Sequence, residues 1–240
     1  MSLTPKTPIP EGAIRYNTDS NKMEVWIGDK WMIVSTSSPN LDGGVRGLFA
    51  AGATNVIDFV TIASAGNATD FGDMTVAYRN RDSCQSPTRG ILAGGYNSPG
   101  DDTNVIEFVV TATTGNATDF GDTTAGRDGW GQNGYGNATR GVFPLSSGAG
   151  PNYVHDSLNY ITLSSLGNTT EYGDLTTNRN LACSFSNPTR GILVAGASPD
   201  SDDIDYNNIA TGGTSVDFGE YSAYSKLSAA SGCSNAHGGL

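Results

Sequence analysis

Apolar and polar residues alternate along this chain in short runs separated by clusters of Gly, Asn, Asp, Ser and Pro. No stretch of useful length carries the 3.6-residue apolar period of a helix, so the runs predict β-strands joined by tight turns. The runs also recur. Arg46-Gly47-Leu48-Phe49, Arg89-Gly90-Ile91-Leu92, Arg140-Gly141-Val142-Phe143 and Arg190-Gly191-Ile192-Leu193 open four segments, spaced 43, 51 and 50 residues apart. Each segment continues with an apolar residue, an acid or amide and an aromatic: Ile57-Asp58-Phe59, Ile106-Glu107-Phe108, Leu158-Asn159-Tyr160 and Ile204-Asp205-Tyr206. A third block reads acid, aromatic, glycine, acid at Asp70-Phe71-Gly72-Asp73, Asp119-Phe120-Gly121-Asp122, Glu171-Tyr172-Gly173-Asp174 and Asp217-Phe218-Gly219-Glu220. A basic residue follows that glycine by six or seven positions at Arg79, Arg127, Arg179 and Lys226. Each unit of roughly 48 residues therefore holds about four short strands, and one such sheet cannot bury both of its faces alone. The expectation is an all-β chain of tandem four-stranded sheets, arranged as a small β-propeller in preference to a stacked array.

The two ends of the chain differ from the repeats. Residues 13–34 contain three strand-like runs, Ala13 to Asn17, Lys22 to Ile27 and Trp31 to Val34, joined by Thr18-Asp19-Ser20-Asn21 and Gly28-Asp29-Lys30 turns. Ser234 to Leu240 aligns with Asn187 to Leu193, so a fifth unit begins and stops after its first strand. The organisation expected is residues 1–40 as a β-meander that docks or closes the ring, and residues 41–240 as the repeat domain. A C-terminal strand paired with the meander would form a fifth blade and remove two open edges.

Within the repeats, the aromatic of the third block is expected to fill the space between neighbouring sheets, and its glycine to permit a turn or bulge. The structural repeat residues are Arg46, Arg89, Arg140 and Arg190 with Asp70, Asp119, Glu171 and Asp217. The arginine forks suit carboxylates or carbonyls of the next unit, and the flanking acids are their expected partners. Four tandem copies of Asp-Phe-Gly, without a glycine-rich phosphate loop or a His-Arg-Asp loop, exclude kinase chemistry.

Composition narrows the function further. Gly accounts for 32 of 240 residues, and 24 acids against 13 bases give a net charge of -11, which disfavours nucleic acid and anionic membrane surfaces as partners. No apolar run is long enough to span a membrane, and the segment from Met1 to Pro10 lacks the apolar core of a signal peptide, so a soluble chain outside the general secretory route is expected. Three cysteines, Cys84, Cys183 and Cys233, fall at equivalent places before successive units and read as buried unpaired thiols. The two histidines, His155 and His237, have no zinc-like spacing, and no nucleophile elbow is present. No catalytic residue, metal or cofactor is expected. The acidic loops at Asp101-Asp102 and Asp200 to Asp205 lack the glycine and distal glutamate of an EF-hand and read as solvated turns. The Asn-x-Thr triplets at Asn67, Asn116, Asn137 and Asn168 read as turn residues. Candidate binding residues are the aromatics of the longest glycine-rich loops, Tyr96, Trp130, Tyr135 and Tyr153, whose rings suit stacking on sugars or contact with protein.

The period and the small first-strand ending Ala93-Gly94-Gly95 resemble kelch-type repeats, with the glycine pair replaced by Pro144-Leu145 in the third unit. The segment Pro10-Glu11-Gly12-Ala13-Ile14-Arg15-Tyr16-Asn17 through Glu24, Gly28 and Trp31 resembles a meander of bacteriophage tail-fibre and other virion proteins. Thr-Arg-Gly and Gly-Asn-Ala-Thr-Asp-Phe-Gly-Asp resemble repeats of structural proteins from marine cyanobacterial phages. The resemblance implies a non-enzymatic virion protein, a tail fibre or attachment component on the tail or capsid surface. Its implied partners are other virion proteins, a host cell-surface glycan, and further copies of itself, a trimer among the possibilities. A capsid decoration protein and a glycan-degrading propeller enzyme are the alternatives.

Overall fold

The structure is a computed structural model of the chain. It describes residues 8–19, 22–34, 45–50, 52, 54–97, 102–127, 134–144, 156–179, 181–197, 200–222 and 232–234, with backbone alone over 125–127. The described residues form five antiparallel sheets of three or four strands and no helix. The chain divides into two compact units, Met1–Asn40 and Leu41–Leu240.

In the first unit, β1 (Ile14–Asn17), β2 (Lys22–Ile27) and β3 (Lys30–Ile33) form a meander in that order, within a residue of the runs read from the sequence. Its β2–β3 hairpin pairs Ile27 with Lys30 across a two-residue turn, where Gly28 takes a φ of +67° that a side chain would resist. The Glu11 carboxylate accepts a hydrogen bond from the Gly28 N–H at 3.0 Å and ties down the same turn. On one face, Trp26 and Trp31 meet edge to face with centroids 5.3 Å apart, and the Arg15 guanidinium lies 4.2 Å over the Trp31 ring. Arg15 also pairs with Glu24, whose carboxyl is held below its ordinary value by hydrogen bonds from Asn17 and then Arg15.

The second unit contains four repeats, each a single meandering sheet. Repeat 1 has β4 (Arg46–Ala50), β5 (Val56–Thr61) and β6 (Thr69–Asp73). Repeat 2 has β7 (Asp82–Gln85), β8 (Arg89–Ala93), β9 (Thr103–Val110) and β10 (Thr118–Arg127). Repeat 3 has β11 (Tyr135–Gly136), β12 (Arg140–Pro144), β13 (Ser157–Thr162) and β14 (Thr170–Asp174). Repeat 4 has β15 (Cys183–Ser186), β16 (Arg190–Gly196), β17 (Ser201–Asn208) and β18 (Val216–Glu220). In repeats 2–4 the Arg-Gly pair thus begins the second strand of the sheet, one strand later than a repeat boundary drawn at the arginine, whereas in repeat 1 it begins β4, the first described strand.

The turn before Arg89, Arg140 and Arg190 is built by a side-chain cap. Asn137 Oδ1 accepts from the N–H groups of Thr139 and Arg140, Asn187 Oδ1 from those of Thr189 and Arg190, and Ser86 Oγ from that of Arg89. The Asn-x-Thr triplet at Asn137 is therefore a turn, as its composition suggests. In the third block the glycines Gly72, Gly121, Gly173 and Gly219 all take φ between +144° and +149°, and the ladder to the preceding strand shifts register beside them. These are the bulges that the acid-aromatic-glycine-acid string predicts.

The core lies between the sheets, because each sheet is too small to enclose one. Ile57, Phe71, Met74 and Val109 pack at the first junction. Phe120, Phe143, Ile161 and Leu163 are among the larger side chains of the second, and Leu158, Tyr172, Leu193 and Ile209 among those of the third.

Candidate functional site

The repeated polar residues converge on the junctions. In every repeat the arginine of the Arg-Gly pair lies over the aromatic of the next strand, with distances of 4.8 Å for Arg46–Phe59 and 4.7 Å for Arg89–Phe108, Arg140–Tyr160 and Arg190–Tyr206. That aromatic meets the third-block aromatic edge to face, with centroids 5.8–6.0 Å apart in all four pairs from Phe59–Phe71 to Tyr206–Phe218. The guanidinium then reaches across to the next repeat. Arg46 Nη1 donates to Thr111 O at 3.1 Å, Arg89 Nη1 to Leu163 O at 2.7 Å and Arg140 Nη1 to Ile209 O at 3.1 Å.

Backbone closes the same joints. The N–H groups of Gly115, Gly167 and Gly213 donate to the carbonyls of Phe71, Phe120 and Tyr172, at 2.7 or 2.8 Å. Those turns sit so close that a methyl on Gly72, Gly121 or Gly173 would collide with the carbonyl of Gly115, Gly167 or Gly213. Asn116 and Asn168 add a side-chain cap, each Oδ1 accepting from Asp73 N or Asp122 N of the preceding repeat. The asparagines of two further Asn-x-Thr triplets are therefore junction residues.

Asp70, Asp119, Glu171 and Asp217 are exposed and form no ion pair with the repeat arginines among the described residues. The expected acid–arginine lattice is corrected accordingly: the guanidiniums of Arg46, Arg89 and Arg140 reach a backbone oxygen of the next repeat, while the acids are exposed. Buried ion pairing occurs elsewhere. Glu107 pairs with Arg81, and Asp205 with Arg179 at 3.0 Å, all four side chains being essentially excluded from solvent. The same acids also span a junction, Glu107 Oε2 accepting from Thr75 N at 2.7 Å and Asp205 Oδ2 from Thr176 N at 3.1 Å. In the middle junction Asn159 Nδ2 donates to Thr124 Oγ1 instead. Arg81, not Arg79, is the counterpart of Arg179. Arg79 lies with its guanidinium 6.0 Å from the Tyr96 ring. Beside the second pair, hydrogen bonds from Thr177 and Ser201, with the nearby Arg179 charge, hold the Asp203 carboxyl below its ordinary value.

A cavity of about 380 Å³ forms where β4, β7, β11, β15 and residues 232–234 approach one another. Its described lining includes Arg46, Phe49, Phe185, Tyr135 and the hydroxyls of Ser83 and Ser186, and carries no carboxylate or imidazole. Cys84 and Cys233 also line it; burial pushes the Cys84 thiol well above the ordinary cysteine value, whereas Cys233 is exposed.

The four loop aromatics separate. Tyr96 is half-buried at an isolated bridge to Arg79 and Asp102. Tyr135 is corrected from loop tip to core: it lies on β11, buried against Gly191, with its hydroxyl accepting from Asn207 Nδ2 at 2.5 Å. Glycine at 191 gives the ring its place, and burial pushes the phenol up. Trp130 and Tyr153 lie outside the described residues, as do Lys226, His155, His237 and the Arg127 side chain. Cys84 and Cys183 are buried and unpaired as the sequence suggests, whereas Cys233 is exposed. Among the described residues no cluster of three metal-binding side chains occurs.

Residues 232–234 carry no strand, and 235–240 lie outside the described residues. Ser234 Oγ nevertheless donates to Ser186 O at 2.6 Å, just as Ser186 Oγ donates to Gly136 O at 2.7 Å one repeat earlier. The chain after repeat 4 thus starts where a further first strand belongs. No family model matches this chain, and no curated protein matches it.

Proposed function

We propose that this chain is a non-enzymatic structural component of a bacteriophage particle, a tail-fibre or attachment protein whose repeat sheets serve as propeller blades and present their connecting loops to host-surface glycan or protein. The observation that carries the reading is where the repeated chemistry goes: the arginines, glycines and junction asparagines are engaged in joining one sheet to the next. A scaffold spends its recurring polar groups in this way, leaving recognition to loops that differ between repeats. The approach of β4, β7, β11 and β15 to one cavity supports the propeller arrangement. The resemblance of residues 10–31 and of the repeats to virion proteins supplies the setting.

Gold-labelled antibody imaging of intact virions tests the reading. Label on tails or fibres is the expected result. Label spread over the head would replace attachment with capsid decoration, and particles without label would refute a virion role. Release of reducing sugar from host polysaccharide would replace binding with hydrolysis.

A further inference from the structure

Among the described residues the sheet-to-sheet junction is made three times, and both halves of a fourth copy are exposed. The third-block aromatics Phe71, Phe120 and Tyr172 are 2%, 2% and 6% exposed because the next repeat covers them, while Phe218 of repeat 4 is 57% exposed. A methyl at Gly219 would meet nothing within 4 Å, although its three counterparts abut a carbonyl of the next repeat. Arg190 stacks on Tyr206 like the other three arginines, yet among the described residues it reaches no carbonyl of a following repeat.

Repeat 1 exposes the matching half. The residue whose carbonyl receives the arginine is Thr111, Leu163 or Ile209 at the three formed junctions, and Leu163 and Ile209 are 2% and 0% exposed. Its counterpart Ile62, which likewise follows the sheet's second-block strand, is 67% exposed. Gly66 and Asn67 occupy the places of Gly115 and Asn116 with no neighbour seated on them among the described residues.

The geometry points to a second copy of this chain as the occupant: repeat 1 of one protomer docks on repeat 4 of another through the same contacts used inside the chain. Arg190 donates to the Ile62 carbonyl, Gly66 N–H to the Phe218 carbonyl, and Asn67 Oδ1 accepts from Glu220 N, with Phe218 and Ile62 buried together. Such a contact joins unlike faces and generates a ring or an open series of protomers.

Two full-length variants test it, Ile62→Asp and Phe218→Asp, each placing a carboxylate on one half and leaving the other half intact. Both positions are exposed in the single chain, so each variant keeps its fold, checked by circular dichroism. Sedimentation equilibrium should show the wild-type mass rising with concentration, each variant alone at the protomer mass, and an equimolar mixture of the two reaching twice that mass through the one unblocked pair. A wild type that stays at protomer mass at high concentration would overturn the proposal. So would a mixture that does not dimerise. A drop in melting temperature for both variants without any change in mass would identify closure within one chain instead, and would also reject it.

Discussion

Glu107 is the sharpest single place to test how the junctions are held. Its carboxylate is paired with Arg81 and accepts the Thr75 N–H across the first junction, and both side chains of the ion pair are buried. Glu107→Ala leaves the guanidinium with the carbonyls of Leu92 and Val105, at 3.3 and 3.2 Å, and no carboxylate among the described residues. Stranding one partner of a buried pair costs about 3–5 kcal/mol, and the orphaned N–H belongs to the same loss. For a unit of this size 1 kcal/mol corresponds to a shift of about 2–4 °C, so the melting temperature should fall by roughly 6–20 °C. The double variant Arg81→Met, Glu107→Leu removes both charges and leaves the Thr75 N–H without its acceptor and the Leu92 and Val105 carbonyls without the guanidinium, a residual cost of about 1–3 kcal/mol. Thermal and urea unfolding followed by circular dichroism should therefore show the double variant more stable than the single one. A Glu107→Ala cost below about 1 kcal/mol, or a double variant less stable than the single, would refute the reasoning.

Three other outcomes are expected. A maleimide or disulfide probe should modify one of the three thiols in the native protein, Cys233, and all three after denaturation, because Cys84 and Cys183 are buried; two rapidly reacting native thiols would contradict the packing of β7 and β15. Gly191→Ala drives its methyl into the Tyr135 ring and should cost about 1–3 kcal/mol as an overpacked core, measured as a lower urea midpoint, whereas Gly66→Ala, with open space around it, should cost less than about 1 kcal/mol. The Asp203 carboxyl titrates lower when folded than its ordinary value of 3.8, so it stabilises the native state above that value and the contribution is lost as pH falls through the lower folded value. The melting temperature of Asp203→Asn should accordingly lie below wild type near neutral pH and converge on it in acid; a gap that widens in acid would reverse the assignment.

The repeat, the strand runs and the bulge glycines were legible because they depend on local chemistry: an alternating pattern, a cap three residues before the arginine, a glycine where φ turns positive. The stacking of Phe71 or Phe120 between sheets was legible for a related reason, since a large aromatic fixed in every unit needs a common cavity. What the chain pattern could not convey is which alternating polar residues lose their water. Glu107 and Asp205 occupy the same alternating place as Asp58, yet they are buried and it is only partly so, because burial there is decided by the adjoining sheet. Tyr135 was misplaced for a similar reason. Its strand has two residues and lies among glycines, so no period marks it, and only the space above Gly191 reveals it as core. The fork of a repeat arginine suits carboxylates or carbonyls of the next unit, and it is carbonyls that Arg46, Arg89 and Arg140 reach; which carbonyl was hidden, because a carbonyl has no residue signature.

Joining sheets through backbone at glycines, with arginine bonded to a carbonyl whatever side chain bears it, makes the length of the array an adjustable quantity. Thr111, Leu163 and Ile209 differ in chemistry but accept the same bond. A unit copied or deleted between two Arg-Gly pairs would keep its arginine and glycine contacts to either neighbour, while the contacts of Glu107, Asn159 and Asp205, which differ from one junction to the next, would have to be matched anew.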